Sequence, residues 1–255
     1  MFSLAGALLC CVFILNSKSS DGAHIIDGTE VKPHSLPYMA MLVHGGPFCG
    51  GTLIHPKWVL SAAHCAGYMS VILGAHSIMS AQEERGARQY RNVSRLVVHP
   101  CYNDELMLND LMLVELNEPV KVTETVKPLA LGDGEYPEAG VKCLVAGWGL
   151  TDFHEWTDTD VLLSTHVKVI DRSTCNSKEY YDLQPVITND MVCAGSASDD
   201  HSDTCSGDSG GPLVCGDVLV GATSFGIECG RPDKPGVYAR ITKKHLKWIH
   251  ETVDF

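Results

Sequence analysis

The chain of 255 residues is long enough for one large domain or two small ones. Hydrophobic residues make up 45% and charged residues 20%, which suits a packed core and excludes an intrinsically disordered chain. A formal net charge of −12 argues against direct nucleic-acid binding and against a partnership with anionic membranes.

In chain order, the first predicted element is a secretory leader. Residues 4–15, "LAGALLCCVFIL", form one apolar run. Roughly 20 such residues are needed to span a bilayer, and roughly 7–15 to make a leader. No Lys or Arg precedes the run. Ser20 and Gly22 occupy the small-residue places for cleavage after Gly22, so residues 1–22 read as a signal peptide. A buried strand or membrane anchor is the competing reading, and the length disfavours both. No other stretch is apolar enough to form a membrane span.

Secretion changes how the cysteines read. Of eleven, Cys10 and Cys11 leave with the leader, and nine remain: Cys49, Cys65, Cys101, Cys143, Cys175, Cys193, Cys205, Cys215 and Cys229. In an oxidising compartment these are disulfides, with one left over. The long, unequal spacings and the absence of paired CxxC units disfavour zinc, and no cofactor is expected.

Beyond the leader, short apolar runs alternate with Gly, Pro, Asn and Asp clusters. "YMAMLVHGG", "GTLIHPKWVLSAA", "SVILGAH", "SRLVVHP", "LMLVELNEP", "KCLVAGWG", "THVKVID", "PLVCGDVLVGATSFG" and "GVYARI" have strand length and strand composition. The pattern predicts an all-β barrel or sandwich. From Thr242, "TKKHLKWIHETV" instead spaces Leu246, Ile249 and Val253 by three and four, the apolar face of a C-terminal helix capped by Thr242. His245 and His250 are expected on its surface.

Three stretches combine into chemistry: "LSAAHC" with His64, "NDLMLVEL" with Asp110, and "SDTCSGDSGGP" with Ser209. A serine hydroxyl is a weak nucleophile at neutral pH. It needs a base, and the base needs a group that fixes its tautomer. Each residue alone has a bland structural explanation. "GDSGGP" is far more specific, because Gly207 lets the backbone approach a substrate and the N–H groups of Gly207 and Ser209 can bind an oxyanion.

With these stretches, "CGGTLI…WVLSAAHC…NDLMLVEL…CLVAGWG…MVCAG…DTCSGDSGGPLVC…PGVYARI" resembles the chymotrypsin-like serine proteases over essentially all of residues 25–255. The resemblance implies two six-stranded antiparallel β-barrels, roughly 25–130 and 131–240, with the active site between them and the helix following. It also implies the pairs Cys49–Cys65, Cys143–Cys215, Cys175–Cys193 and Cys205–Cys229. Eight cysteines alone leave 105 connectivities open.

The same resemblance assigns activation and specificity. The mature N-terminus falls at Ile25, whose ammonium would pair with Asp208 and complete the oxyanion site. His24 precedes it rather than Lys or Arg, and cleavage after Gly22 leaves only Ala23-His24, an activation dipeptide of the kind a dipeptidyl peptidase removes. Asp203 takes the floor of the pocket for the residue before the scissile bond and implies cleavage of protein substrates after Arg or Lys. The competing reading for Asp203 is a solvated loop acid beside Asp199 and Asp200. Thr204 and Ser224 are assigned to this substrate site, and Gly226 and Gly236 to its walls. Ala75 stands where the calcium loop of digestive trypsins begins with an acid, so no metal is expected, and His76 and His99 are expected to be structural or exposed. "NVS" at Asn92 is a glycosylation sequon expected on a surface loop.

Within the family, "EVKPHSLPYMA", "VILGAHSI", "PVITNDMVCAGS", "GATSFGIECG" and "KKHLKWI" are similar to the tryptic granzymes, proteases of leukocyte granules. "TSFG" and "HPCY" favour the branch that forms disulfide-linked homodimers. That implies Cys101 bonded to Cys101 of a second copy, against a bland reading as a free or capped thiol. Two features depart from the pattern. Asp27 replaces a usual glycine, and the charge remains −12 after residues 1–24 leave, where such enzymes are basic. Its eleven remaining histidines would offset at most eleven charges in an acidic granule. A local basic patch near "ERGARQYR" is a further expectation. The alternatives are a digestive or kallikrein-like protease, disfavoured by His24 and Cys101, and an inactive binding protein on this fold, disfavoured by the intact triad.

Overall fold

A computed structural model describes residues 28–152, 157–196, 203–205 and 207–253. The leader, the activation dipeptide, Ile25, Asp27, Asp199 and Asp200 lie outside the described residues.

A two-residue strand, β1 (Thr29–Glu30), comes first. Then β2 (Met39–Val43), β3 (Pro47–His55), β4 (Trp58–Ser61), β5 (Ser70–Leu73), β6 (Gln89–Val98) and β7 (Met112–Leu116) close an antiparallel barrel in the order β2-β3-β4-β7-β6-β5. β8 (Lys142–Gly147) begins the second barrel and is followed by a short pair, β9 (Leu150–Asp152) and β10 (Thr157–Asp158). Next come β11 (Leu163–Ile170), the one-turn helix α1 (Arg172–Cys175), β12 (Met191–Gly195), β13 (Pro212–Cys215), β14 (Val218–Phe225) and β15 (Gly236–Arg240). β8, β11, β12, β15, β14 and β13 form a ring, which the β11–β8 pairing closes. The fold is therefore two six-stranded antiparallel barrels with a C-terminal helix, α2 (Lys243–Val253).

Strand alternation explains how the barrels pack. Along β11, Leu163, Thr165, Val167 and Val169 are buried while His166 and Lys168 are exposed, the period of two that a sheet imposes. β2 breaks this rule, because nearly all of it is buried. Ala40 and Leu42 fill the first barrel, whereas Met39 and Met41 pack against Ala146, Trp148 and Val214 of the second. β4 is divided in the same way, with Val59 inside its barrel and Trp58 and Leu60 in the seam beneath α2. There Ile249 and Val253 of α2 meet Leu111, Leu113 and Ala239. The two inter-barrel faces are why these strands read as continuous apolar runs.

Thr242 caps α2 by accepting the His245 N–H on its Oγ1. His245 differs from expectation: it is 2% exposed, because the helix lies in the seam and turns that face inward as well. His250 is exposed.

The barrel boundaries differ at the N-terminus. Thr29 pairs with Ser164 of β11, and Val31 donates to Leu162 O at 3.0 Å, so this segment joins the second barrel. The chain then changes barrel between Leu129, whose N–H bonds Leu53 O, and Leu131, which bridges to Leu219. No helix among the described residues is long and apolar enough to cross a membrane.

Candidate active site

His64 sits on a 3₁₀ turn, Ala63–Cys65, directly after β4. The Cys49–Cys65 disulfide ties this turn to β3. Asp110 ends the loop before β7 and is fully buried. Its Oδ1 accepts the His64 backbone N–H at 3.0 Å, and its Oδ2 lies 2.8 Å from His64 Nδ1. Ser224 Oγ donates to the same Oδ2 at 2.5 Å. Three contacts fix this carboxylate, and the imidazole is left a quarter exposed with its far nitrogen free to exchange a proton.

Ser209 lies on the turn before β13. Its carbonyl accepts the Gly50 N–H at 2.8 Å, and Cys65 Sγ, adjacent to His64 in the chain, lies 3.8 Å from the same oxygen. The serine is thus anchored to the first barrel although it belongs to the second. Gly207, two residues earlier, has φ +98°, and a Cβ there would stand 2.8 Å from Gly149 Cα. Only glycine fits there.

Ser209 opens onto a cavity of about 210 Å³ bordered by Thr204, Ser224, Gly226 and Gly236. Asp203 lies behind it, 3% exposed, and accepts the N–H groups of Thr204 at 2.8 Å and Gly230 at 3.1 Å. A Cβ on Gly236 would stand 2.9 Å from Asp203 Oδ1, so the missing side chain keeps the approach to that carboxylate clear. Burial pushes Asp203 up to about 7. The Cys205–Cys229 disulfide clamps the two segments that form the cavity. Cys143–Cys215 and Cys175–Cys193 brace the second barrel.

Asp208 is fully buried and accepts Gly149 N–H at 2.9 Å and Cys205 N–H at 3.0 Å. Burial raises it to about 6.

The Trypsin family model matches residues 25–249. The chain belongs to the trypsin family of serine proteases. It is 42% identical to granzyme A of Bos taurus over 90% of this chain and 88% of that one. It is 39% identical to kallikrein-15 of Saguinus oedipus over 96% and 98% of the two chains. A solved structure of neuropsin, a serine protease of mouse brain, superposes with a TM-score of 0.81 at 40% identity, covering 89% of this chain and 99% of that one.

As a trypsin-family protease, this chain is a serine endopeptidase, and several of its features differ from expectation. The arginines of "ERGARQYR" make no basic patch. Arg88 is buried and donates from Nε to Glu84 at 2.8 Å, and Arg91 is half-buried against the Glu118 and Pro119 carbonyls. Arg85 alone of the three is exposed. Asn92 is exposed but stands in β6, paired with Ser70, rather than on a loop.

The segment after Ala75 holds an internal cation that sequence reasoning missed. Glu84 accepts the N–H groups of His76 at 3.0 Å and Ser77 at 2.9 Å, while Arg88 bonds both Glu84 and the Ser77 carbonyl. Burial alone would raise the Glu84 carboxyl, but these bonds win and hold it below the usual range. The signal available was the i,i+4 spacing of Glu84 and Arg88. His76 is buried and lies 3.0 Å from Glu30, and His99 packs edge-on against Trp248. Among the described residues, the one cluster with metal-ligand spacing is Cys49, His64 and Cys65, whose thiols are consumed by their disulfide. Cys101 is exposed and forms no disulfide among the described residues.

Proposed function

We propose that this protease is a secreted, granzyme A-like endopeptidase that cleaves proteins after Arg or Lys. Ser209 Oγ attacks the scissile carbonyl and passes its proton to His64 Nε2. Asp110 holds the imidazole in the Nδ1–H tautomer and stabilises the imidazolium. The N–H groups of Gly207 and Ser209 bind the oxyanion. His64 then protonates the leaving amine, and water hydrolyses the acyl-enzyme by the reverse proton path.

The observation that carries this reading is one continuous arrangement. The buried Asp110 is bonded to His64 and Ser224, and Ser209 and Ser224 border the cavity that Asp203 backs. A guanidinium or ammonium entering there would meet a desolvated carboxylate in want of a cation. The four intrachain disulfides support an oxidising destination, and with the leader they support secretion.

Asp208 has two backbone donors and, among the described residues, no hydrogen-bonded cation. The ammonium of Ile25, freed when a dipeptidyl peptidase removes Ala23-His24, would supply one and hold Gly207 in place. Kallikreins match at similar identity. The exposed Cys101, and in the sequence His24, favour the granzyme A-like reading, with Cys101 joined to a second copy.

A substrate-library profile of enzyme activated at Ile25 tests the proposal, together with N-terminal sequencing of the protein from its natural source. Cleavage after Arg and Lys with Ile25 at the terminus is expected. An elastase-like or chymotryptic profile overturns the specificity, and a different terminus overturns the activation route.

A further inference from the structure

Behind the triad, one side-chain pair joins the two barrels and takes no part in the steps above. Asn109 directly precedes Asp110 and has φ +51°, in the left-handed region that asparagine tolerates better than most residues. Its amide is held at both ends. Nδ2 donates to the Cys101 carbonyl at 2.9 Å, and Oδ1 lies 3.0 Å from His245 Nε2 on α2. Since Nδ2 is committed to Cys101, the atom facing His245 is the amide oxygen, which only accepts. His245 Nε2 must therefore carry a proton, whatever the state of Nδ1.

The ring that offers this proton is itself fixed. Nδ1 lies 2.8 Å from the Arg240 carbonyl and 3.1 Å from both the backbone nitrogen and Oγ1 of Thr242. His99 packs edge-on at 4.9 Å between centroids. Burial, aided by the Arg240 and Lys244 charges, holds His245 below its ordinary value against the Arg240 carbonyl and the Asp190 charge.

The ring aims a donor at the residue next to Asp110. The backbone there is tightly turned, because Leu111 N–H donates to Asn109 O at 2.7 Å and His99 N–H to Leu111 O at 2.9 Å. The conformation of Asn109 sets the direction in which the Asp110 side chain leaves the chain, and Asp110 must meet both His64 and Ser224 at short range.

We infer that His245 is a positioning residue: through Asn109 it fixes the Asp110 carboxylate against His64. This rests on the reading of His64, Asp110 and Ser209 as the reacting groups.

The test uses activated enzyme, a fluorogenic arginyl amide, and rates normalised to titrated active sites, with kcat and KM measured across pH. His245→Leu keeps the bulk and removes the donor. Expected are a kcat loss of about tenfold or more, since small misplacements of catalytic groups cost that much, and a KM within about twofold. The acid limb of kcat/KM should also move down by about half a pH unit, because a loosened Asp110 stabilises the His64 imidazolium less. His245→Gln restores a donor near the place of Nε2 and should recover most of the loss. Asn109→Gly keeps the backbone conformation, removes both anchors, and should reproduce the leucine variant; it decides the matter if that variant does not fold. An unchanged kcat and acid limb in a folded His245→Leu or Asn109→Gly enzyme overturns the inference. So does a glutamine variant as impaired as the leucine one. A serine-directed phosphonate that labels wild type but not Ser209→Ala tests the underlying triad separately. Failure of that labelling removes the triad reading, whereas an unshifted pH profile removes only the role of His245.

Discussion

Asp203 and Asp208 are two buried carboxylates a few residues apart, and both are raised by the same cause. Each binds its proton more tightly folded than unfolded. The stability this contributes is complete below about pH 4 and is lost as pH rises through about 6 to 7. A cation beside either carboxylate reverses the loss. For Asp203 the cation is a substrate side chain or an aryl amidine. Saturating benzamidine should therefore raise Tm strongly at pH 8 and little at pH 5, read by scanning calorimetry at both values. An equal shift at both would separate amidine binding from Asp203. Replacing the acid has a larger consequence. Asp203→Ser should lower kcat/KM for arginyl substrates by about 10²–10⁴, the rate equivalent of the roughly 3–5 kcal/mol associated with unpairing a buried charge. Steady-state kinetics on matched arginyl and leucyl amides would show whether the loss is confined to the cation.

Among the elements, the segment from Ala75 to Arg88 is braced from within: the guanidinium of Arg88 joins the Glu84 carboxylate to the Ser77 carbonyl. Both partners are largely buried, so breaking the pair should cost about 3–5 kcal/mol. Arg88→Met should lower Tm by about 10 °C, while a calcium chelator leaves wild-type Tm unchanged. A chelator-sensitive wild type would show that a metal is held there after all. The seam under α2 is a second element whose cost is calculable. Ile249 is fully buried, and Ile249→Ala should destabilise by about 2–5 kcal/mol in urea unfolding. A loss below about 1 kcal/mol would mean that the seam collapses around the cavity.

For the whole molecule, the unpaired Cys101 lies on the loop that leads to Asp110, on the outside of the first barrel. A homodimer bridged there would use the same surface on each copy, the arrangement a two-fold axis produces. Non-reducing electrophoresis of secreted protein should show a species of twice the chain mass that reductant collapses and Cys101→Ser abolishes. A monomer on the non-reducing gel would leave the kallikrein-like alternative the stronger one. The acidic charge bears on the same question, since burial of Arg88 and half-burial of Arg91 remove the basic patch expected at "ERGARQYR".

Much of the molecule was legible without coordinates, because certain chemistry is local in sequence. Strand-length apolar runs, the spacing of Leu246, Ile249 and Val253, and the stretches around His64, Asp110 and Ser209 carry their information within a few residues. What depends on the apposition of two barrels was not legible. His245 reads as a polar residue on a helix surface until that helix is laid in the seam, where its neighbour Asn109 is 136 positions away. The arginines of "ERGARQYR" read as a basic patch until the loop folds Arg88 onto Glu84. The burial of Met39 and Met41 on the outward face of β2 likewise makes sense only once Trp148 and Val214 are opposite. By itself the sequence determined the residue types available for chemistry and the period of each element. Tertiary structure alone decided which polar groups lost water, because desolvation depends on what the other barrel covers, and with that it decided the elevated Asp203 and Asp208 and the buried pairs Glu84–Arg88 and Asn109–His245.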